Sequence, residues 1–317
     1  MSTRRASKYA QVSVTVRAMK SKMFGKDGYD RLLRCSSSSE CISILREQGY
    51  FEAGATTEVI DPPSFQDLFD TKMVTVLRKL ARLSPEDCAQ LLAAFEDHYR
   101  LEFLKSDLRL MLAHEEGESL SGIMPSNARA DFMRDIVETR NVERLVQVAG
   151  FPALHGEISS ALSEKKPLPL VEAIVDKYGL TRIWIATDMR DSMDRQSVQP
   201  LVGEYIDMIN LLLVVRSKAL GITDDETQLA LAPVNYRLGG ALLEAAGTGS
   251  TTSALRVFTK TVYADAVEGF LDGFKEGDSL HPLHVSLKRR HVSSCLSAFT
   301  GFPFRAGLPV AFTHLMG

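Results

Sequence analysis

The stretch Tyr9–Phe24, YAQVSVTVRAMKSKMF, decides between an all-helical fold and a mixed one. Its apolar residues recur at intervals of three and four, which is the spacing of one face of an α-helix. These residues are Tyr9, Val12, Val16, Met19 and Met23. The alternation of Val12, Val14 and Val16 would suit a β-strand, but it accounts for fewer residues. The stretch therefore predicts a helix, with Gly25 and Gly28 expected to end it.

Two later stretches resemble this opening helix. Tyr205–Ile222, YIDMINLLLVVRSKALGI, is again an apolar run that closes on Val-Arg and a lysine, so that Arg216 matches Arg17. Tyr99–Leu112 is a third long helical pattern, and in the last two copies polar residues such as Asn210 precede the aliphatic run. If the three are related, each is the long helix of a unit that buries its apolar face by stacking on the next unit.

A short motif, a glycine followed by an aromatic residue, also occurs three times. The pairs are Gly49 with Tyr50, Gly150 with Phe151, and Gly301 with Phe302. An aliphatic residue lies five residues before each glycine, at Ile44, Leu145 and Leu296. These copies favour an internal repeat, although amphipathic helices that end in glycine also resemble one another without common ancestry.

The remaining patterns also predict helices joined at glycines and prolines. Ser84–Asp87 has the residues of a helix N-terminus, with serine as the cap, and the helix behind it is expected to reach His114, a length of about 40 Å. Gly179 is expected to close a helix that starts near Leu170, and Pro200 is expected to mark a break in a longer one. Strands that alternate with helices are not evident, so the predicted class is all-α.

Composition places the chain among folded soluble proteins. It has 317 residues, of which 45% are hydrophobic and 24% charged, and its net charge is −3. Intrinsic disorder is therefore not expected. Proteins that bind nucleic acid usually carry a strongly basic face, so the charge gives no reason to expect such a partner.

The hydropathy pattern argues against a membrane span. A spanning helix needs about 20 predominantly apolar residues, whereas the longest uninterrupted apolar run here is Leu211–Val215. The first residues, MSTRRASKY, are basic and lack the apolar core of a secretory signal. We therefore expect a cytoplasmic chain whose contact with a membrane, if any, is peripheral.

The chain resembles the C subunits of archaeal and bacterial A/V-type ATPases and ATP synthases, the counterparts of the d subunit of V-type ATPases. The resemblance is spread over most of the chain, preserves the order of its segments and depends on their sum. The matching segments are Tyr9 with residues 16–22, residues 29–33, 45–50, 204–205, 210–211, 215–218, 303–304 and 309–312.

The resemblance implies a funnel-like body of three similar helical lobes, which we place at residues 1–83, 84–160 and 161–317. It also implies a non-catalytic central-stalk subunit that links the rotor axle of the catalytic head to the membrane rotor ring. Such a subunit transmits torque for proton or sodium transport coupled to ATP hydrolysis or synthesis. The implied partners are the axle subunits and the ring, at the inner face of the membrane, with no cofactor or metal and no nucleic acid.

One departure from the family concerns the last lobe. Members usually continue past the segment that matches Pro309–Met316 into a further helix, whereas this sequence ends at Gly317. The resemblance therefore leads us to expect that the closing helix of the last lobe is absent from this sequence.

Residues with potential chemistry are few. His281, His284 and His291 are the best metal candidates, and they support an alternative reading as an all-helical metal-dependent hydrolase. Pro282 interrupts their spacing, and the following run of Lys288, Arg289 and Arg290 would repel a cation. A helical scaffold unrelated to any ATPase is the third reading.

Basic residues are the candidates for a partner interface, although a solvated helix face explains them as well. These residues are Arg17, Lys20, Lys22, Lys288, Arg289 and Arg290. The four cysteines, Cys35, Cys41, Cys88 and Cys295, show no paired spacing. We therefore interpret them as reduced thiols of a cytoplasmic protein.

Overall fold

The computed structural model describes residues 2–50, 62–115, 135–136, 138–301 and 304–316. Within these ranges the regular structure is helical, without β-strands, and the all-α prediction is confirmed. One 3₁₀ turn at Pro152–Leu154 accompanies the α-helices. In chain order the helices are α1 (Ser2–Lys20), α2 (Lys26–Leu33), α3 (Ser38–Glu47), α4 (Pro62–Leu83), α5 (Glu86–Glu115), α6 (Val142–Ala149), α7 (His155–Ser163), α8 (Leu168–Ala186), α9 (Ser192–Leu220), α10 (Asp224–Ala230), α11 (Ala241–Ala246), α12 (Thr251–Phe258), α13 (Ala264–Leu271), α14 (His281–Ser297) and α15 (Gly307–Met316).

Helix α1 confirms the helical reading of the opening stretch. Tyr9, Val12 and Val16 are fully buried on one face, against α4 and α15. Val14 is 66% exposed, which excludes a strand that buries alternate residues. The helix ends earlier than expected, at Lys20, so neither glycine is its terminator. Gly25 precedes α2, and Gly28 lies within α2.

Helix α9 is the central element, and its break lies elsewhere than expected. The chain is interrupted at residues 187–191, where the Asp191 carboxylate accepts hydrogen bonds from the backbone N–H groups of Met193 and Asp194 and so caps α9. Pro200 lies inside the helix, and the predicted break there is wrong. Buried Val198 and Val202 pack on both sides of the proline, and this packing offsets the one backbone hydrogen bond that proline removes.

Gly179 does not close a helix either, because α8 continues through it to Ala186. A Cβ atom at this position would lie 2.8 Å from both His98 Nδ1 and Leu101 Cδ1 of α5. The glycine is therefore needed for the close approach of α5 and α8, and not for a turn.

The N-terminus of α5 also differs from its predicted capping. The helix begins at Glu86, and the Ser84 hydroxyl donates a hydrogen bond back to the Leu80 carbonyl at the end of α4. Asp87 accepts hydrogen bonds from the backbone and side chain of Arg190, at 3.0 and 2.8 Å. The predicted length of the helix is close to the observed 30 residues. Asp87, however, contacts a distant part of the chain at Arg190.

The core divides into several clusters that share the two longest helices. The first joins α1, α4 and α15 to the first halves of α5 and α9. A second surrounds the last half of α9 with α11–α14, and a third surrounds the last half of α5 with α6, α7 and α8. Because α5 and α9 each run through two clusters, they connect the parts of the molecule.

The internal repeat stays a prediction. Gly49 and Gly150 both adopt left-handed backbone, with φ of 75° and 87°, and end their helices in the same way. Tyr50 N donates to Leu45 O, and Phe151 N donates to Val146 O, the pattern of a Schellman motif. Gly301 is not among the left-handed glycines of the described chain, and Phe302 lies outside the described residues. The division into three lobes is likewise still a prediction.

By length and composition, Ser192–Leu220 is the one helix of the described residues that would be able to cross a membrane. However, 67% of its apolar window is buried within the protein, where it forms part of the first two core clusters. Core helices of this kind pass the same test, so its apolarity is explained by packing.

Candidate functional site

A cavity of about 930 Å³ is lined by residues from the beginning, the middle and the end of the chain. Helices α1–α5, α8, α9, α14 and α15 all contribute to its wall. Much of the lining is aromatic or aliphatic, with charged side chains interspersed. The aromatic lining residues are Phe24, Tyr29, Tyr50, Phe69, Phe95, Tyr99, Tyr205 and Phe312.

One wall, which we call the histidine wall, consists of His98, His291 and His314 around Tyr205. His98 Nε2 lies 3.2 Å from the Tyr205 hydroxyl oxygen. The His314 ring centroid lies 4.8 Å from that of Tyr205 and 4.6 Å from that of His291. Helices α5, α9, α14 and α15 therefore meet here through their polar aromatic side chains.

Burial keeps the histidine wall uncharged near neutral pH. It lowers the pKa of His291 to about 4, and nearby Lys288 adds to the effect. Burial also lowers the pKa of His98 and, together with the other two histidines, that of His314. It raises the pKa of the Tyr205 hydroxyl well above 10. The wall therefore presents neutral rings.

An ion cluster centred on the buried Lys105 joins α5 to α8 beside these rings. The Lys105 ammonium lies 2.8 Å from a Glu102 carboxylate oxygen and 2.7 Å from one of Asp176. Burial alone would lower the pKa of Lys105, but the two carboxylates outweigh it and the pKa is raised. Lys105 therefore stays charged, and its contact with Asp176 ties the two helices together.

The cavity carries a surplus of positive charge. Its three acidic lining residues are all engaged, Glu102 and Asp176 by Lys105, and Glu172 by Arg109. Further cations line it from several parts of the fold, namely Lys22, Lys72, Lys79, Lys177, Arg216 and Lys288. The lining is thus suited to a partner with apolar and acidic groups.

Two cations of this surplus, Arg216 and Lys288, come together around His284. Burial lowers the pKa of His284, and the charges of Arg216 and Lys288 lower it further. These residues lie on α9 and α14, so the two helices place cations close together on the cavity lining. We call Arg216, His284 and Lys288 the cationic edge.

The six basic residues predicted as a partner interface fall into separate places. Arg17 donates to the Phe299 carbonyl at 3.2 Å, and the Lys20 ammonium lies 4.4 Å from the centroid of the Phe299 ring. Arg290 binds both carboxylate oxygens of Asp265, at 2.6 and 2.7 Å.

Only Lys22 and Lys288 of the six line the cavity. Arg289 is exposed outside it. The structure thus does not bring the six together, and their role in binding a partner stays a prediction.

The histidines of the hydrolase reading do not form one site. His281 is exposed, His284 belongs to the cationic edge, and His291 is buried against Tyr205 and His314. Across the described part of the chain, no group of three potential ligands is arranged to hold a metal ion. This geometry gives the hydrolase reading no support.

Sequence reasoning missed the polar groups that fix the central helix. The Tyr9 hydroxyl donates to Asp194 at 2.8 Å, and Ala306 N contacts the other oxygen of the same carboxylate. Asp207 accepts from the Tyr263 hydroxyl at 3.0 Å, and Asn210 donates to two backbone carbonyls. A signal was present, because acidic and amide residues on the apolar face of a helix need buried partners.

Comparison with known proteins finds related sequences along most of the chain. A family model described as ATP synthase (C/AC39) subunit matches residues 12–316. The C subunit of the A-type ATP synthase of Methanocaldococcus jannaschii is 22% identical over 310 residues, which cover 94% of this chain and 77% of that protein. The protein of the same name from Methanosphaera stadtmanae is 21% identical, over 96% of this chain and 80% of the relative. The protein of the same name from Methanococcoides burtonii is 22% identical, over 94% of this chain and 83% of the relative.

Proposed function

Because the chain belongs to the ATP synthase (C/AC39) subunit family, we propose that it is a central-stalk subunit that connects the rotor axle to the membrane ring and transmits torque. Membership makes it a non-catalytic subunit of a rotary ATPase, which assembles with other subunits of that complex. The connecting role, the two partners and the place at the inner face of the membrane are the proposed part.

The observation that carries the proposal is the cavity. Its wall combines aromatic side chains with a surplus of cations, so it offers both apolar area and charge to an inserted partner segment. Interface anchors are typically aromatic residues and arginine in desolvated pockets. We propose that the end of the axle occupies this cavity, with its acidic side chains against the cationic edge.

Torque transmission needs a body that does not shear, and the long helices supply one. Helices α5 and α9 have 30 and 29 residues, so each is about 45 Å long. Ion pairs link α5 to α8 and to the following turn, through Arg182 with Asp97, Lys105 with Asp176, and Arg190 with Asp87. A load applied at the cavity would pass along these helices and not through a single joint.

The test is assembly with charge-reversed variants. Purification of the native complex from membranes should recover this chain with head and ring subunits, and Lys288→Glu should reduce that recovery. Arg289→Glu is the matched control, since Arg289 is the next residue of α14 and is exposed outside the cavity. We expect it to assemble like the wild type.

Two results would overturn the proposal. If the chain is recovered from membranes without head or ring subunits, the central-stalk role is wrong. If both variants reduce assembly equally, the outer surface of α14 and not the cavity is the interface. Circular dichroism of each variant separates misfolding from lost binding.

A further inference from the structure

Two cysteines, Cys35 and Cys41, lie at the joint between α2 and α3, although their spacing in the sequence did not indicate a pair. Cys35 follows α2, which ends at Leu33, and Cys41 lies in the first turn of α3, after four serines. In a continuous helix, residues six positions apart are separated by about 9 Å along the axis, too far for a disulfide. The break between the two helices removes that separation.

The two thiols converge on the last turn of α2. Cys35 Sγ donates to the Arg31 carbonyl at 3.5 Å, and Cys41 Sγ donates to the Leu32 carbonyl at 3.9 Å. These carbonyls belong to consecutive residues of one helical turn, so the fold directs both thiols to the same place. Both side chains are partly exposed, whereas Cys88 and Cys295 are buried.

We propose that Cys35 and Cys41 are a redox-active pair that forms an intramolecular disulfide when a low-molecular-weight disulfide is present. One protein thiolate attacks a sulfur of the oxidant, breaks its S–S bond and releases one thiol. The second protein thiolate then attacks the mixed disulfide, forms the bond between Cys35 and Cys41 and releases the second thiol. The protein loses two electrons and two protons, and both are found in the two thiols released.

The bond would act on the wall of the cavity. Tyr29 and Leu32 of α2 and Leu45 of α3 all line the cavity. Helix α2 has no buried residue, so core packing does little to fix it against α3. A covalent link at the joint would hold the two helices in one arrangement, and reduction would release them.

The chain offers a direct readout of this chemistry. Trypsin cleavage after Arg34 and Arg46 releases the peptide CSSSSECISILR, which carries both cysteines and neither of the other two. The folded chain is treated with oxidised glutathione, free thiols are then blocked with iodoacetamide, and the peptides are weighed. We expect this peptide to be unalkylated and about 2 Da lighter than the reduced form, since two hydrogens are lost. Cys88 and Cys295 should be alkylated only after unfolding.

Three comparisons make the test decisive. In Cys35→Ser and in Cys41→Ser the lighter peptide should disappear, and glutathione should remain on the other cysteine. The disulfide should form faster in the folded chain than in the same chain in urea, because the fold brings the thiols together. The rate should rise with pH, because the thiolate is the attacking species and the neighbouring Cys41 side chain raises the pKa of Cys35 to about 11.

Two outcomes would overturn the proposal. One is glutathione on both cysteines of the wild-type peptide with no internal bond. The other is equal disulfide formation in folded and urea-unfolded chains, which would show that the fold contributes nothing. The masses do not depend on assembly with any ATPase subunit, so these results leave the proposed function untouched.

Discussion

Helix α1 and the α2–α3 hairpin follow one another in the chain, and both show amphipathic patterns, yet they are held very differently. The apolar face of α1 is sealed by α4 and α15, and its Tyr9 hydroxyl is bound to Asp194. Helix α2 has no buried residue, and Leu33 at its end is 84% exposed. An amphipathic pattern therefore shows which face is apolar, but the rest of the fold decides whether that face is covered.

The largest effect should come from Tyr9→Ala. Tyr9 is fully buried, so truncation leaves a cavity and removes the hydrogen bond to Asp194. We expect the free energy of unfolding to fall by about 3–5 kcal/mol, measured by urea denaturation. Tyr29→Ala in α2 is the matched control, and at 54% exposure it should change stability by less than about 0.5 kcal/mol. Equal losses would remove the contrast between the two regions.

Acid should weaken the core around α15 before it affects the hairpin, which contains no histidine. The pKa values of His98, His291 and His314 lie below the ordinary 6.5, so the unfolded chain binds more protons than the folded one. Their stabilising contribution is therefore complete above pH 6.5 and is lost as the pH falls toward 4. For His291, whose pKa is about 4, the loss is on the order of 3 kcal/mol.

The measurement is the urea midpoint between pH 7 and 4.5 for the wild type and for His291→Gln. The variant should show a shallower fall, because one of the three proton-binding groups is gone. His281→Gln, at an exposed position of the same helix, should keep the wild-type slope. An unchanged slope in His291→Gln would mean that this histidine is accessible to protons in the folded state.

Tyr9→Phe should have a smaller effect than Tyr9→Ala. It keeps the ring and removes only the hydroxyl that donates to Asp194 at 2.8 Å. Asp194 is 2% exposed and keeps the ammonium of Lys8 at 3.5 Å, so we expect a loss of about 1–2 kcal/mol in urea denaturation. Tyr29→Phe should be neutral. If Tyr9→Phe left the free energy of unfolding unchanged, the contribution of Tyr9 to stability would come from the packing of its ring alone.

The smallest effect is expected in the hairpin itself, from Gly49→Ala. Gly49 has φ of 75°, a conformation that costs an alanine about 1 kcal/mol. Because the hairpin is loosely attached, the change should appear in faster hydrogen exchange of α3 amides and leave the global midpoint almost unaltered. Gly25→Ala, with ordinary backbone and open space around its Cβ, should alter neither. A large shift of the global midpoint would show that the hairpin folds with the core.

Local patterns were sufficient for the helical class and for the buried face of α1, because both depend on spacing within a few residues. They failed at Gly179 and Pro200, where the contacts of α5 with α8 and the burial of α9 outweigh the usual effect of these residues. The bond between Tyr9 and Asp194 joins residues 185 positions apart, and spacing carries no information on such pairs. For the candidate site, the sequence indicated Lys22 and Lys288, and it singled out His291 only as a metal candidate. The histidine wall forms only when α5, α14 and α15 meet.

The contact of α1 with Asp194 and α15 also sets the order in which the nascent protein can mature. Helix α1 is made well before the carboxylate that binds Tyr9 and before α15, which covers its apolar face together with α4. At translation rates of about 5–20 residues per second, the interval is on the order of tens of seconds. During that time Tyr9, Val12 and Val16 lack the cover that α15 provides, so α1 is a segment that a chaperone would need to protect during synthesis.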